Sequence, residues 1–117
     1  MTTLLPPLVA QLAEKLFAAF CESRVPVEVR DKVRLEYEIK GVEAALWECR
    51  PHWRDASQPW TRSAVAQLRF DTKKHRWALF CRDRNSQWLR YEPAPPTKKL
   101  EDLLAVISED PTGVFWG

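Results

Sequence analysis

Glycine is scarce in this chain, with only Gly41, Gly113 and Gly117 among 117 residues. Three scattered glycines cannot build a phosphate-cradling loop or a dinucleotide fingerprint, and no Gly-x-Ser-x-Gly elbow is present. Cysteine is equally sparse. Cys21, Cys49 and Cys81 are odd in number and form no Cys-x-x-Cys, which argues against a redox pair or a zinc ribbon. Such cysteines behave as small hydrophobes in a reducing compartment, and a cytoplasmic location is expected. No secretory signal is visible, since Leu4-Leu5 is broken at once by Pro6-Pro7. No run approaches the ~20 apolar residues that span a bilayer, so no membrane partner is expected.

What the chain does have is aromatic weight: six Trp, five Phe and two Tyr. A hydrophobic share of 45% with 29% charged residues fits one folded domain over residues 1–117, because each buried aromatic removes a large apolar area from water. The net charge of +2 hides an asymmetry. Residues 50–99 hold 12 Lys and Arg against 4 Asp and Glu, whereas residues 100–117 hold four acids and no base. Acidic terminal segments lying near a basic sheet would account for this, and so would a surface that attracts an anionic partner.

The periodicity predicts an α+β fold, a five-stranded antiparallel β-meander flanked by an N-terminal and a C-terminal helix. Pro6 and Pro7 suit a helix start, and Leu8, Val9, Leu12, Leu16, Phe17 and Phe20 recur at helical spacing. Pro26 ends that helix, and one short helical turn is expected over 26–32. Val33 to Ile39 alternates as a half-buried strand. Lys40-Gly41 is a turn, and Val42 to Arg50 returns, with Ala44 and Leu46 on one face against Ala45, Trp47 and Cys49 on the other. Residues 51–62 read as a loop, and strands are expected over 64–71, 76–83 and 87–92. Thr97 is the expected N-cap of the second helix, whose stripe is Leu100, Leu103, Leu104 and Ile107.

A four-residue turn at 72–75 sets Phe70 against Trp77 and Leu68 against Leu79, facing the helices. A two-residue turn at 85–86 sets Arg82 against Leu89 and Phe80 against Tyr91. The second face then shows Arg69, Ala78, Phe80, Arg82, Leu89 and Tyr91. A one-residue slip would exchange the faces.

Candidate chemistry is thin. Cys49, His52, His75 and Cys81 invite a metal reading, but His75 and Cys81 close opposite ends of one strand, ~20 Å apart. Ligands of one zinc lie about 2.0–2.3 Å from it, so no metal site and no cofactor is expected. His52 with Asp55 is a weak candidate for a general-base pair, since the two touch only if the loop folds back and no nucleophile stands beside them. The strongest signal is arginine interleaved with aromatics: His52-Trp53-Arg54, Arg69-Phe70, Arg76-Trp77 and Arg82 to Tyr91. Guanidinium planes and aromatic faces on an open sheet stack unpaired bases while Arg and Lys contact phosphates. Aromatics at period two with Arg stems packed along them are equally the mark of an ordinary core.

Several of these stretches are similar to a known family. Arg50-Pro51-His52-Trp53-Arg54-Asp55, Trp77 to Asn85 with Trp88, Tyr91 and Glu92, and Asp110-Pro111-Thr112-Gly113 with Phe115-Trp116 resemble an uncharacterised bacterial family, domain of unknown function 3024. Arg24-Val25-Pro26 and Arg30-Asp31-Lys32 fit it too. The resemblance implies a bacterial, single-domain protein and no activity. Where similar sequences place Gly in the 72–75 turn, this chain has His75.

The leading expectation is a non-enzymatic binding module for an anionic partner, nucleic acid or an acidic protein surface. Arg54, Arg69, Arg82 and Arg84 would serve as anion contacts and Tyr91 as a stacking or packing surface. A homodimer through the aromatic second face and a small enzyme using His52 and Asp55 are the alternatives.

Overall fold

The computed structural model describes residues 3–52, 54–55 and 57–116. Its elements follow in the order α1 (Pro7–Arg24), a short 3-10 turn (Val27–Val29), β1 (Arg34–Lys40), β2 (Glu43–Arg50), β3 (Thr61–Asp71), β4 (Arg76–Arg82), β5 (Trp88–Arg90) and α2 (Leu100–Glu109). The five strands make one antiparallel sheet in sequence order, the expected meander. No helix among the described residues is long and apolar enough to cross a membrane.

Both helices lie on one face. α1 opens with proline at its first position, where a missing N–H costs nothing, and stops before Pro26, which holds Val25 extended. Its inner side drives Phe17, fully buried, against Tyr37 at 5.6 Å and edge-on to Trp77 at 6.5 Å. The sheet supplies Ala44, Leu46, Ala66, Leu68, Phe70, Trp77 and Leu79 to this core, and α2 adds Leu100, Leu103, Leu104 and Ile107. Phe70 pairs with Trp77 and Leu68 with Leu79, as the four-residue turn requires. His75 takes the left-handed conformation there (φ 57°), the one a glycine adopts without strain.

The C-terminal segment folds against the helices. Asp110, also left-handed, ends α2, and its carboxylate accepts the backbone N–H groups of Phe115 (3.1 Å) and Trp116 (3.0 Å). Trp116 donates its indole N–H to Ile107 O at 2.7 Å, and the Arg24 guanidinium of α1 lies 4.6 Å above its ring. The apolar tail therefore seals the helix side.

Three expectations need correction. Asp83 to Gln87 is closed by a three-residue loop in which Ser86 is left-handed (φ 61°), not by a two-residue turn. That extra residue slips β5 by one: Phe80 pairs with Arg90 and Arg82 with Trp88. A one-residue slip inverts a strand's faces, so Leu89 and Tyr91 leave the second face, and Trp88 and Arg90 take their place. Second, Thr97 is not the cap of α2. Lys99 stands there, and Thr97 instead bridges to Trp77 through paired backbone bonds of 2.7 and 3.0 Å. Third, β3 begins at Thr61, which brings Arg62 into the sheet.

Candidate functional site

The face away from the helices is read from the cross-strand pairs. One row is Glu38, Ala45, Gln67, Phe80 and Arg90; a second is Lys40, Glu43, Arg69 and Ala78; Arg82 pairs with Trp88 and Glu36 with Trp47. An irregularity between Leu46 and Trp47 leaves Val65 as an extra residue of β3, and this sets Arg62 beside Trp47.

Each large aromatic ring on this face lies under a guanidinium. Arg62 sits 4.4 Å from the Trp47 ring centroid, Arg69 4.0 Å from Phe80 and Arg82 5.5 Å from Trp88. At the β1 edge Arg34 lies 4.1 Å from Trp60. Such contacts contribute ~0.5–1 kcal/mol each where solvent reaches them, and they hold the guanidinium groups close to the sheet surface. The aromatic surface is thereby a mosaic of rings and guanidinium groups.

The two halves of the face differ in charge. On β1–β3 the cations are engaged. Arg62 pairs with Glu38 (3.5 Å) and Glu36 (3.9 Å), Lys40 with Glu38 (3.0 Å), and Arg69 with Glu43 (3.7 Å) while donating to Gln67 Oε1 at 2.8 Å. The Lys40 ammonium, aided by Arg62, holds the Glu38 carboxyl below its usual range. On β4–β5 the balance reverses. Among the described residues no ion pair engages Arg82, Arg84 or Arg90. The nearby Asp83 carboxylate accepts the N–H groups of Asn85 (2.8 Å) and Gln87 (2.9 Å), and Arg82 donates to Ser86 O at 2.9 Å. On this face the arginines without an ion pair thus lie toward the β4–β5 edge.

The anticipated residues separate accordingly. Arg69 and Arg82 lie on the helix-free face, and Arg84 is in the hairpin loop beside it. Arg54 is exposed in the β2–β3 loop, which leaves the same end of the sheet as the Arg84 hairpin. Tyr91 is corrected: it is 4% exposed, stacked edge-on against Phe115 at 5.0 Å, with its hydroxyl 2.9 Å from Thr112 Oγ1. It fastens the tail and offers no platform. Trp53, part of the interleaved pattern, lies outside the described residues. Arg62, Trp47, Trp88 and Arg90 were not among the anticipated site residues. The Arg-x-x-x-x-x-x-Arg spacing of β3 (Arg62, Arg69) does not itself reveal that both cross to aromatic partners on neighbouring strands.

His52 and Asp55 are oriented to different tasks. His52 Nδ1 accepts the backbone N–H groups of Arg54 (3.3 Å) and Asp55 (3.1 Å). Asp55 Oδ1 accepts from Ser57 N (2.9 Å) and Ser57 Oγ (2.7 Å), and those bonds lower its pKa. Both groups organise the loop, and no bond joins their side chains. Among the described residues no group of three or more His, Cys, Asp and Glu side chains is placed to hold a metal ion.

A family model described as "Domain of unknown function (DUF3024)" matches residues 5–117. No curated protein and no solved structure matches the chain.

Proposed function

We propose, from the premise that the chain belongs to the family of this domain of unknown function and takes no activity from it, that the protein is a non-enzymatic binding module for an anionic partner. The partner that fits the helix-free face is a single-stranded nucleic acid. One observation carries the reading: guanidinium groups over Trp47, Phe80 and Trp88, with Arg82, Arg84 and Arg90 lacking a carboxylate partner among the described residues. Guanidinium planes offer stacking surfaces to unpaired bases, and Arg82, Arg84 and Arg90 offer donors to phosphates. An acidic protein would use the same cations but gains nothing from the aromatic rings interleaved with them.

The homodimer reading draws less support. Rings capped by arginine do not form the contiguous apolar patch a dimer would bury on this face. The small-enzyme reading has the least, because the Asp55 carboxylate is spent on Ser57. Three free thiols and the bacterial character of the resemblance favour a bacterial cytoplasm as the location.

The test is fluorescence anisotropy with a short labelled single strand at low salt. Arg82→Ala/Arg84→Ala/Arg90→Ala should weaken binding by about tenfold or more. Absence of binding by the parent, or equal binding by the triple variant, would overturn the proposal. An unlabelled acidic peptide that displaced the strand at similar concentration would reassign the partner to protein.

A further inference from the structure

α1 is apolar on two sides, and only one of them is used. Ala13 and Phe17 face the core, whereas Leu4, Leu8 and Leu12 are 69%, 79% and 54% exposed. Leu8 and Leu12 stand one turn apart on the outer side of α1, and Leu4 is exposed in the segment just before the helix. Farther along that side the chain turns polar, with Lys15 and Glu22 exposed, so the patch is confined to the first turns. Three such leucines present on the order of 300 Å² of apolar surface, comparable to the largest patch of a typical monomer, which is often a functional one.

Beside this ridge lies a groove of about 160 Å³, lined by Val9, Leu12, Phe70, Trp77 and Leu100, with His75 and Lys98. The same end of the molecule gathers a cluster of cations. The backbone bridge between Trp77 and Thr97 brings Lys98 and Lys99 next to the β3–β4 turn, which carries Lys73, Lys74 and Arg76. None of the five forms an ion pair among the described residues. Two acids border the cluster: Asp71, whose carboxylate accepts the N–H groups of Lys73 (2.9 Å) and Lys74 (3.1 Å), and Asp102 in the first turn of α2, which lines the same cleft as Arg76, Lys98 and Lys99.

We propose that this ridge and groove dock an acidic amphipathic helix of a partner protein. Its apolar side chains enter the groove against Leu8 and Leu12, since a helix surface interdigitates with ridges at that spacing. Its acidic flank meets Lys73, Lys74, Arg76, Lys98 and Lys99. The charge selects the occupant: a second copy of this chain would set five cations against five, so self-association is disfavoured. The area corresponds to a small, transient interface. This surface lies at the opposite end of the sheet from the Arg84 hairpin and is independent of the nucleic-acid proposal.

The experiment is an amide chemical-shift titration of the labelled protein with two synthetic helical peptides sharing one leucine face, one with glutamate and one with lysine on the polar face. The acidic peptide should saturably shift residues 8–13, 73–77 and 98–100, and the lysine peptide should not. Lys73→Glu/Lys74→Glu/Lys98→Glu and Leu8→Ser/Leu12→Ser should each weaken the acidic peptide by about tenfold or more. All five positions are surface side chains or partly so, and the reference spectrum of each variant verifies its fold. No response, an equal response to both peptides, or a response only to phosphatidylserine-containing vesicles over phosphatidylcholine ones would overturn the proposal. A single-stranded oligonucleotide should leave these amides in place and shift those of β4 and β5.

Discussion

Replacing Asp110 by alanine should release the C-terminal tail from the helix side and leave the helix-free face untouched. The carboxylate accepts two backbone N–H groups, at 3.1 and 3.0 Å, that have no other acceptor among the described residues. Hydrogen bonds to a charged group contribute ~1.5–3 kcal/mol when sheltered, and Asp110 is only half-buried, so about 1 kcal/mol each is appropriate. The expected loss is ~2 kcal/mol, capped by the free energy with which Phe115, 6% exposed against Tyr91, holds the tail down. Asp110→Asn keeps one acceptor and should lose about half as much. Asp110→Gly loses the same bonds but relieves the left-handed backbone (φ 46°), so it should be ~1 kcal/mol more stable than the alanine variant. Urea denaturation reads the series: with a slope of about 1–1.5 kcal/mol/M, the midpoint of the alanine variant should fall by roughly 1.3–2 M. Hydrogen exchange at Phe115 and Trp116 should quicken in parallel. A midpoint within ~0.3 M of the parent, with Phe115 still protected, would refute the assignment of Asp110 as the tail's anchor.

Ser86→Gly should stabilise the protein by roughly 0.5–1 kcal/mol, because relief of the positive φ outweighs the added chain entropy; a lower melting temperature would contradict it. Cys21, its pKa pushed up to about 11 by burial and then by Glu36 and Cys49, should alkylate at about pH 8 some hundredfold more slowly than a free thiol. Peptide mapping after timed iodoacetamide treatment measures this, and a free-thiol rate would exclude that environment. The raised pKa also means that the stabilisation from the neutral thiol is present below about pH 9 and is lost as pH rises toward about 11. Asp71 works in the opposite sense. Its backbone bonds to Lys74 and Lys73 lower its pKa, so its support of the β3–β4 turn is present above the ordinary carboxylate range and fades as pH falls below it. Exchange of the Lys73 and Lys74 amides across that range should follow.

What the residues disclose in advance depends on how local the governing interaction is. Leu35, Tyr37 and Ile39 alternate against charged neighbours, and β1 follows from them directly. The two helices are bounded by Pro6-Pro7, Pro26 and the Leu100 to Ile107 stripe for equally local reasons. The site depended on features with no composition signal. A left-handed Ser86 shifts β5 by one and exchanges Tyr91 for Trp88 and Arg90. The extra Val65 in β3 decides that Arg62 lies over Trp47, in a stretch that reads as loop from Pro51 onward. The lysine cluster comes from two segments more than twenty residues apart, joined only through the Trp77–Thr97 bridge. The basic middle of the chain was evident from its charge; its division into an edge of unpaired arginines and a separate lysine-rich end was not.

The salt dependence of single-strand binding tests the central reading most directly. Three arginines at the β4–β5 edge that form no ion pair among the described residues, with Arg69 as a fourth if it releases Glu43, predict a slope of log K against log salt of about −2 to −3. In the Arg82→Ala/Arg84→Ala/Arg90→Ala variant that slope should collapse toward zero. A slope near zero in the parent, or a steep slope that survives in the variant, would contradict the assignment of this face to an anionic strand.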